Sequence, residues 1–285
     1  MPRKSTPSPR PPKLGQNFLA DPSAARKIVD ALGDIAQATV IEIGPGRGVI
    51  TKLLADRARK LITIEYDRQL AALLKYDFLN RQNVEVIEAD VLSVDFHGLL
   101  RGPNKGHDHN EIVSKAPVRI VGNLPYYITS DILLKLFAAS VEGLFEQVVV
   151  MVQKEVADRL SAQPGSKDFG LLAATAQMHA RVRTLFTLPP GAFNPPPKVY
   201  SAVVDMRIAP RFSELGVDAR GFDKFLKLVF AQKRKTIFNN LREEYEEPLA
   251  KSALEDAEIP ASERAEELTL DRLAKLYRNL SPAEG

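Results

Sequence analysis

The sequence predicts an α/β fold, in which a doubly wound sheet of parallel strands precedes a smaller, mainly helical C-terminal domain. Three observations support this prediction: apolar, β-branched runs recur along the chain, segments of helical periodicity separate them, and a proline-rich stretch near residue 190 ends the alternation. The chain has 285 residues, of which 45% are hydrophobic, so it is long enough for one large core and a second, smaller one.

Five apolar runs have the composition of buried strands. They are Thr39–Ile43, Leu61–Glu65, Val84–Glu88, Val118–Val121 and Gln147–Val152. Three intervening segments place apolar residues three and four positions apart and are predicted helices, namely Ile50–Ala58, Arg68–Leu79 and Ser130–Ala139. Because strand and helix alternate, we expect the strands to lie parallel in one sheet.

The C-terminal part of the chain has a different pattern. Prolines interrupt regular structure in Leu188–Lys198, and an alternating strand, Tyr200–Ile208, follows. Helical periodicity returns in Phe222–Leu241 and Leu270–Leu280. The polar, acidic stretch between these two segments is expected to be partly helical surface.

These patterns divide the chain into three parts, with a domain boundary near Pro210. Residues 1–13 carry four basic residues, five prolines and no acidic residue, so they are expected to form a disordered basic arm. A mitochondrial transit peptide is the competing interpretation, but prolines break the amphipathic helix that it needs. Residues 14–209 are the expected ligand-binding domain, and residues 210–285 are the helical domain.

The composition excludes several classes of protein. Without cysteine, the chain has no disulfide scaffold, no thiolate metal ligand and no cysteine nucleophile, and it fits a reducing compartment. No apolar run approaches the roughly 18 residues that a membrane span needs, and the N-terminus lacks the apolar core of a secretory signal. We therefore expect a cytoplasmic protein with no membrane partner. Nothing resembles a coiled coil, so we expect a monomer.

Charge is distributed unevenly along the chain, although the net charge is only +3. Residues 181–242 hold 12 Lys or Arg against 4 Asp or Glu, whereas residues 243–285 hold 5 against 12. A basic stretch of this size is where a polyanion would dock, because neutralised phosphates release counterions. A solvated helix face is the alternative interpretation.

A glycine-rich loop follows the first predicted strand. The stretch Gly44–Gly48 (GPGRG) stands between a strand and a helix, where a tight turn lets a ligand approach bare backbone. A dinucleotide-binding loop would have its third glycine one position later, where this sequence has Val49. Glu42 is unfavourable near a diphosphate but suits a cofactor with a cationic sulfonium and an ammonium group. The loop therefore favours S-adenosylmethionine.

Two acidic residues follow at the ends of the next two strands. Glu65 ends the second strand about twenty residues past the first glycine, where a carboxylate can accept hydrogen bonds from both ribose hydroxyls. Asp90 ends the third strand, from which it can accept a hydrogen bond from the adenine amine of the cofactor. Each could be a surface carboxylate by itself, but two at consecutive carboxyl ends favour cofactor binding.

The fourth strand ends in a tetrapeptide with specific chemistry. An amine conjugated to a purine ring is a poor nucleophile, because its lone pair is delocalised into the ring. The side-chain carbonyl of Asn123 and the backbone carbonyl of Leu124 could bind its two N–H groups and draw the nitrogen toward sp³ geometry. Pro125 stiffens the turn, and Tyr126 offers a face on which an extruded base can stack. A turn whose aromatic packs into the core is the alternative interpretation.

Six segments match the signatures of one known family: Leu14–Leu19 (LGQNFL), Ile41–Gly46 (IEIGPG), Asn123–Tyr126 (NLPY), Gln153–Val156 (QKEV), Phe193–Val199 (FNPPPKV) and Lys233–Thr236 (KRKT). On these segments the chain resembles the bacterial KsgA/RsmA family of small-subunit rRNA adenine dimethyltransferases over roughly residues 14–280. The resemblance implies a Rossmann-like class I methyltransferase sheet and S-adenosylmethionine-dependent N6-dimethylation of adenosine.

The resemblance also implies roles for individual residues. The S-adenosylmethionine contacts would be Asn17, Leu19, Gly44, Glu65, Asp90 and Asn123. The catalytic group would be Asn123, Leu124, Pro125 and Tyr126, with Phe193 opposite Tyr126 across the target base. From composition alone, Asn17 belongs to a loop that leads into a helix, and Phe193 is a core aromatic.

The substrate that the resemblance implies is a pair of adjacent adenosines in a hairpin near the 3′ end of 16S rRNA. The partner would be 16S rRNA within the 30S subunit or its precursor, during rRNA processing and ribosome biogenesis. Bases in hairpin loops can be splayed out at low cost, and a basic region fits such a substrate. Phosphate contacts are predicted for Lys198, Lys233, Arg234 and Lys235, although Lys233–Lys235 could also cap a solvated helix.

Two features depart from the family pattern. Tyr127 follows the tetrapeptide where many relatives carry a smaller polar residue, and residues 101–117 form a longer loop than is usual. His97, His107, Asp108 and His109 lie within or beside this loop, but a Gly/Asn/Lys-rich loop provides no rigid ligand geometry. We therefore expect no metal.

Three alternative functions share parts of this pattern. A DNA adenine methyltransferase or a 23S rRNA methyltransferase would have the same loop and tetrapeptide, but a DNA enzyme normally carries a larger recognition region, and the segment around Phe193 is closest to the 16S family. A non-catalytic RNA-binding assembly factor would have lost Glu65, Asp90 or Asn123, and all three are present. Catalysis combined with an assembly role remains open at the level of sequence.

Overall fold

The structure is a computed structural model that describes residues 16–100 and 116–280. The predicted basic arm, the segment Leu14–Gly15, most of the predicted loop 101–117 with His107, Asp108 and His109, and the last five residues lie outside this range.

Nine strands occur within the described residues. They are β1 (Phe18–Leu19), β2 (Thr39–Ile43), β3 (Lys60–Glu65), β4 (Val84–Glu88), β5 (Val118–Asn123), β6 (Gln147–Gln153), β7 (Ala180–Leu188), β8 (Phe193–Asn194) and β9 (Ser201–Ile208).

The same ranges contain twelve α-helices, besides short 3₁₀ turns. They are α1 (Pro22–Ala31), α2 (Val49–Ala55), α3 (Arg68–Asp77), α4 (Phe96–Leu100), α5 (Thr129–Ser140), α6 (Lys154–Leu160), α7 (Leu171–His179), α8 (Phe212–Leu215), α9 (Ala219–Val229), α10 (Ile237–Leu241), α11 (Glu247–Asp256) and α12 (Leu270–Leu280).

Seven of the strands form one sheet in the order β4-β3-β2-β5-β6-β9-β7. The five strands from β4 to β6 are parallel, and β9 runs antiparallel between β6 and β7. All five residues of β2 are buried, as expected for a strand covered by helices on both faces. The predicted α/β fold and its parallel strands are confirmed, and each predicted bound of these five strands lies within two residues of the observed one.

Side chains at helix starts explain why several helices begin where they do. Asp21, Asp67 and Asp218 accept hydrogen bonds from backbone N–H groups in the first turns of α1, α3 and α9. Thr236 does the same for α10. Such caps satisfy N–H groups that have no partner within the helix, so they define the start of the helix in the sequence.

The C-terminal region differs from its prediction in two ways. The predicted helix Phe222–Leu241 is wrong as a single element, because α9 ends at Val229 and the Thr236 cap starts a new helix seven residues later. The acidic stretch, which was expected to be partly helical surface, also contributes to the core, because its helix α11 buries Ala250, Ala253 and Leu254. Small apolar residues on one face suffice for this packing, and the charged residues cover the other face.

The strand β7 has no counterpart among the predicted strands. It lies at the edge of the sheet, and both Arg181 and Arg183 on it are exposed. The register shifts between Thr184 and Phe186, so the alternation of apolar residues is interrupted. An edge strand with basic side chains and a bulge lacks the apolar run that marks the inner strands.

The core has three parts. Ile41, Ile43 and Ile120 belong to the cluster on one face of the sheet, and Val40 and Val121 belong to the cluster on the other face, beneath α1 and α2. The third cluster fills the helical region from α8 to α12.

Helix α7 contributes to two of these clusters. Ala176 packs into the sheet cluster, whereas Met178 packs into the helical cluster. At its end, the buried His179 lies 3.2 Å from Ser140 Oγ of α5 and 3.1 Å from Asp223 Oδ1 of α9. The division into two domains at residue 210 stays a prediction.

None of the helices in residues 16–100 and 116–280 is long and apolar enough to cross a bilayer.

Candidate active site

A cavity of about 480 Å³ lies at the carboxyl ends of the parallel strands. Its lining comes from residues 16–18, from the ends of β2 and β3, and from residues 89–92 and 123–128. This is the edge at which open α/β sheets bind their ligands, and the volume is in the range of small-molecule sites.

Close packing of the backbone shapes one wall of the cavity. Gly122 of β5 pairs with Ile43, and a Cβ on Gly122 would lie 2.5 Å from the Ile43 carbonyl oxygen. Gly46 has a φ of +57°, and a Cβ there would lie 2.8 Å from the ring of Phe18, which also lines the cavity. The chain is therefore packed too closely at both glycines to accept a side chain.

Glu65 is held in place by the backbone around it. Its Oε2 accepts a hydrogen bond from Gly46 N at 3.0 Å, and its Oε1 accepts one from Asp67 N at 2.9 Å. The residue is only 5% exposed, and burial raises the pKa of its carboxyl group. Each carboxylate oxygen has a second acceptor position, so the side chain can bind a ligand hydroxyl while it keeps both backbone contacts.

Asp90 follows β4 and lies at the adjacent part of the cavity. Its Oδ1 accepts a hydrogen bond from Leu92 N at 2.9 Å, which caps the short 3₁₀ turn after it. The carboxylate is half-buried and lines the cavity, so one oxygen is fixed by the protein and further acceptor capacity faces the site.

Glu42 lies behind the cavity. It is on the same face of β2 as Val40, which packs beneath α1 and α2, and it is 1% exposed. Its Oε2 has no hydrogen-bond partner among the residues that the structure describes. Burial raises the pKa of Glu42 to about 8, and the nearby Glu65 contributes to the increase. Glu42 does not line the cavity, but its buried carboxyl group is unusual and costly to ionise.

Asn123 is oriented by a residue far away in the chain. Its Nδ2 donates to the backbone oxygen of Asn17 at 2.9 Å. Because a carbonyl can only accept, this contact identifies the amide nitrogen and leaves Oδ1 as the acceptor on the other side of the side chain. Asn17 and Asn123 both line the cavity.

The backbone after Asn123 is held on both sides of the Leu124 carbonyl. Leu124 N donates to Met151 O at 3.1 Å, and the Leu124 side chain is 1% exposed. Pro125 O accepts from Thr129 Oγ1 at 2.9 Å and from Ile128 N at 3.2 Å. The turn is therefore rigid, and the Leu124 carbonyl lies in a segment that lines the cavity.

Three tyrosines line the cavity. Tyr126 is half-buried, its hydroxyl lies 2.6 Å from Ser201 Oγ, and burial raises the pKa of its hydroxyl. Tyr66 and Tyr127 are 61% and 62% exposed. Partial burial, together with the proximity of Tyr66 and Asp90, raises the pKa of Tyr127. Tyr66 and Tyr127 therefore lie together at the Asp90 end of the cavity.

The cavity brings together most of the predicted site residues. The set comprises Asn17, Gly44, Glu65, Asp90, Asn123, Leu124, Pro125 and Tyr126. The structure does not bring Leu19 and Phe193 into the lining: the two residues pair across β1 and β8 and are only 5% and 4% exposed. Phe193 is thus placed as a core aromatic, the role that composition suggested, and a position opposite Tyr126 stays a prediction.

The predicted phosphate contacts lie on the surface. Lys198, Lys233 and Arg234 are exposed, and Lys235 is half-buried. Lys233 donates to the backbone oxygen of Lys167, and Lys235 lies 3.2 Å from Glu243. Among the described residues, no group of three or more His, Asp or Glu is placed to hold a metal ion, and His97 pairs with Glu142.

Sequence reasoning missed three residues of this region. Phe18 and Tyr66 are next to residues that were predicted, and Tyr66 could have been found as the neighbour of a strand-end carboxylate. Ser201 carries no local signal, because its contact with Tyr126 spans 75 residues.

Comparison with known proteins identifies relatives of the whole chain. Residues 10–281 match the model of the family described as ribosomal RNA adenine dimethylase. The chain is 53% identical over 273 residues to the ribosomal RNA small subunit methyltransferase A of Koribacter versatilis, with coverage of 94% of this chain and 93% of the relative. It is 54% identical over 270 residues to the protein of the same name in Acidobacterium capsulatum, with coverage of 94% and 90%.

A solved structure is similar over nearly the same length. The crystal structure of a dimethyladenosine transferase from Plasmodium falciparum superposes with a TM-score of 0.72 at 26% identity, and the match covers 91% of this chain and 95% of that one. The predicted Rossmann-like methyltransferase sheet is confirmed by this similarity.

Proposed function

The chain belongs to the ribosomal RNA adenine dimethylase family, and we propose that it transfers methyl groups from S-adenosylmethionine to the N6 amines of two adjacent adenosines in a hairpin near the 3′ end of 16S rRNA. The observation that carries this proposal is the anchored Asn123 amide, which lines the same cavity as the glycine loop and Tyr126. The names of the relatives favour small-subunit rRNA over 23S rRNA or DNA.

The cavity fits S-adenosylmethionine by its shape and its acceptors. Gly46 lines the cavity without a side chain, so a ligand can approach the loop backbone directly. Glu65, whose two oxygens are already aligned by backbone N–H groups, would bind the ribose hydroxyls, and Asp90 would accept a hydrogen bond from the adenine amine. Gly44 and Asn17 would contact the remainder of the cofactor.

Leu19 has a supporting role in this proposal. It is buried in the pair of strands β1 and β8, and Ala20 N donates to Ala192 O at 2.8 Å. This pairing holds the preceding residues 16–18 against the cavity. When bound, the cofactor supplies an electrophilic methyl group, and the sulfonium sulfur keeps the electron pair of the broken C–S bond.

The protein activates the target amine by geometry. Asn123 Oδ1 and the Leu124 carbonyl oxygen would accept the two N–H bonds of the amine, so the nitrogen lone pair leaves conjugation with the ring and forms the new N–C bond. Pro125 and its contacts with Thr129 keep the second carbonyl in place. Tyr126 would stack on the flipped base, with Phe193 as the second aromatic of the family motif. The amine becomes acidic once alkylated, so its proton leaves after methyl transfer.

The RNA would dock through basic residues outside the cavity. Lys198, Lys233 and Arg234 are exposed and would contact phosphates together with Lys235. We propose that the partner is the 30S subunit or its precursor in the cytoplasm, and that the protein acts as a monomer.

The test is methyl transfer from labelled S-adenosylmethionine to unmethylated 30S subunits, followed by mapping of the product nucleosides. We expect dimethyladenosine in the 3′-terminal hairpin for the wild type and for Asn80→Ala, which changes an exposed asparagine elsewhere. Asn123→Ala should abolish transfer while the protein remains folded. Methyl transfer to 23S rRNA or DNA instead would show that the proposed substrate is wrong. Transfer by Asn123→Ala at the wild-type level would show that Asn123 is not catalytic.

A further inference from the structure

Ser201 makes an unusual contact at the edge of the cavity. It is the first residue of β9, and it is fully buried. Its Oγ lies 2.6 Å from the hydroxyl of Tyr126, a distance typical of a good O–H···O hydrogen bond. The bond joins the turn after β5 to the antiparallel part of the sheet.

The two partners of this bond are held very differently. Ser201 pairs with Gln153 of β6 on one side and with Leu188 of β7 on the other, so its backbone is fixed by two neighbouring strands. Tyr126 lies in a short 3₁₀ turn outside the sheet, and its ring is only half-buried. Ser201 is therefore the rigid anchor of the pair, and Tyr126 is the group that is oriented.

The chain just before Ser201 is also tied to the end of β6. Lys154 N, which follows β6, donates to Tyr200 O at 2.9 Å. Lys198, a predicted phosphate contact, is only three residues from Ser201 and is exposed. The anchor thus contacts a residue that lines the cavity and is close in sequence to a predicted phosphate contact.

We propose that Ser201 is a positioning residue, whose hydroxyl holds the Tyr126 ring in the orientation that forms the wall of the cavity against which the flipped adenine stacks. This inference rests on the proposed function. It assigns to Ser201 no contact with substrate or cofactor. A free Tyr126 ring would sample other rotamers, and the base would lose a preorganised surface.

The competing explanation is that the bond only satisfies a buried hydroxyl. Such a role would affect stability and leave the kinetics unchanged. Ser140 offers a matched control, because its hydroxyl is also buried and hydrogen-bonded, to Phe137 O and near His179, but at the end of α5 away from the cavity lining.

The experiment is a double-mutant cycle with Ser201→Ala, Tyr126→Phe and the double variant, measured for 30S methylation. Loss of one hydrogen bond predicts that each single variant loses about ten-fold in kcat/KM for RNA, with S-adenosylmethionine affinity changed less than about two-fold. The double variant should be no worse than either single variant. Ser140→Ala should lower the melting temperature only.

A second readout does not require turnover. Binding of a hairpin RNA with 2-aminopurine at the target position should quench its fluorescence through stacking, and Ser201→Ala should reduce the quenching at saturating protein. If wild type methylates 30S but Ser201→Ala has wild-type kcat/KM and quenching, the positioning role is wrong and the proposed function stands. If the wild type transfers no methyl group to 30S, the proposed function fails, and the quenching data then decide the role of Ser201 separately.

Discussion

The two halves of the cavity are built in different ways. In the half that would hold the cofactor (the cofactor half), Gly44, Glu65 and Asp90 lie at the ends of consecutive parallel strands, and backbone N–H groups orient both carboxylates. In the half that would receive the target base (the base half), contacts from distant parts of the chain hold the key side chains: Asn123 bonds to the backbone oxygen of Asn17 across 106 residues, and Tyr126 bonds to Ser201 across 75 residues.

This difference has a consequence for substitutions. The cofactor half shares its contacts with the sheet and the glycine loop, so changes there should alter both ligand binding and folding. In the base half, single long-range bonds orient the Asn123 and Tyr126 side chains, so changes to these side chains should alter catalysis with little effect on the fold. The following predictions test this comparison.

The largest effect is expected in the base half, from Asn123→Asp. Aspartate keeps the shape of the side chain but cannot donate to Asn17 O, and its oxygen would face that carbonyl. By analogy with the loss of one preorganised polar group at a transition state, methyl transfer should fall by about 10²–10³-fold. Single-turnover assays measure this change. The melting temperature should stay near that of Asn80→Asp, and a large thermal destabilisation would contradict the comparison.

In the cofactor half, Gly46→Ala should impair binding and folding together. The new Cβ would lie 2.8 Å from the Phe18 ring, at a residue with a φ of +57°. We expect about 10²-fold weaker S-adenosylmethionine binding by calorimetry and destabilisation of about 1–2 kcal/mol by urea unfolding. Gly191→Ala is the control, because nothing lies within 4 Å of a Cβ there. Unchanged cofactor affinity in Gly46→Ala would show that the loop does not hold the cofactor.

The buried Glu42 makes the cofactor half less stable than it could be near neutral pH. The pKa of Glu42 is about 8 in the folded protein and about 4.5 in the unfolded chain. At any pH between these two values, unfolding therefore releases a proton from Glu42. Its contribution to stability therefore falls as pH rises from about 4.5 to 8.

Glu42→Gln removes this titration. We expect the variant to be close to the wild type in stability near pH 5 and more stable at pH 8, by about 3–4 kcal/mol. Urea unfolding at both pH values measures the difference, with the exposed Glu88→Gln as control. A difference that is independent of pH would mean that Glu42 is ionised in the folded protein.

The smallest effect is expected outside both halves, at the basic loop after α9. Replacing Lys233 or Arg234 by alanine should weaken RNA binding by about three- to ten-fold, and the slope of log K against log salt should fall by about 1 for each phosphate that the variant no longer neutralises. Cofactor affinity should be unchanged. Lys75→Ala, an exposed lysine on α3, serves as control. Equal RNA affinity at all salt concentrations would remove this loop from the RNA-binding surface.

Residues that act through local sequence were predictable. Strand bounds followed from apolar runs, and Glu65 and Asp90 followed from their place at strand ends, which parallel pairing brings to one edge. The bulged edge strand β7 and the break between α9 and α10 were missed, because exposed basic residues and a capping threonine interrupt the periodic pattern.

The alternating sheet, the glycine loop and the tetrapeptide Asn123–Tyr126 could be found from the amino-acid sequence, since each depends on residues that are neighbours in the chain. The three-dimensional packing revealed that Asn17 orients Asn123, that Ser201 is hydrogen-bonded to Tyr126, and that Phe193 is buried against β1. These contacts join segments tens of residues apart. No local pattern encodes them, because they depend on how the strands and turns are packed against one another.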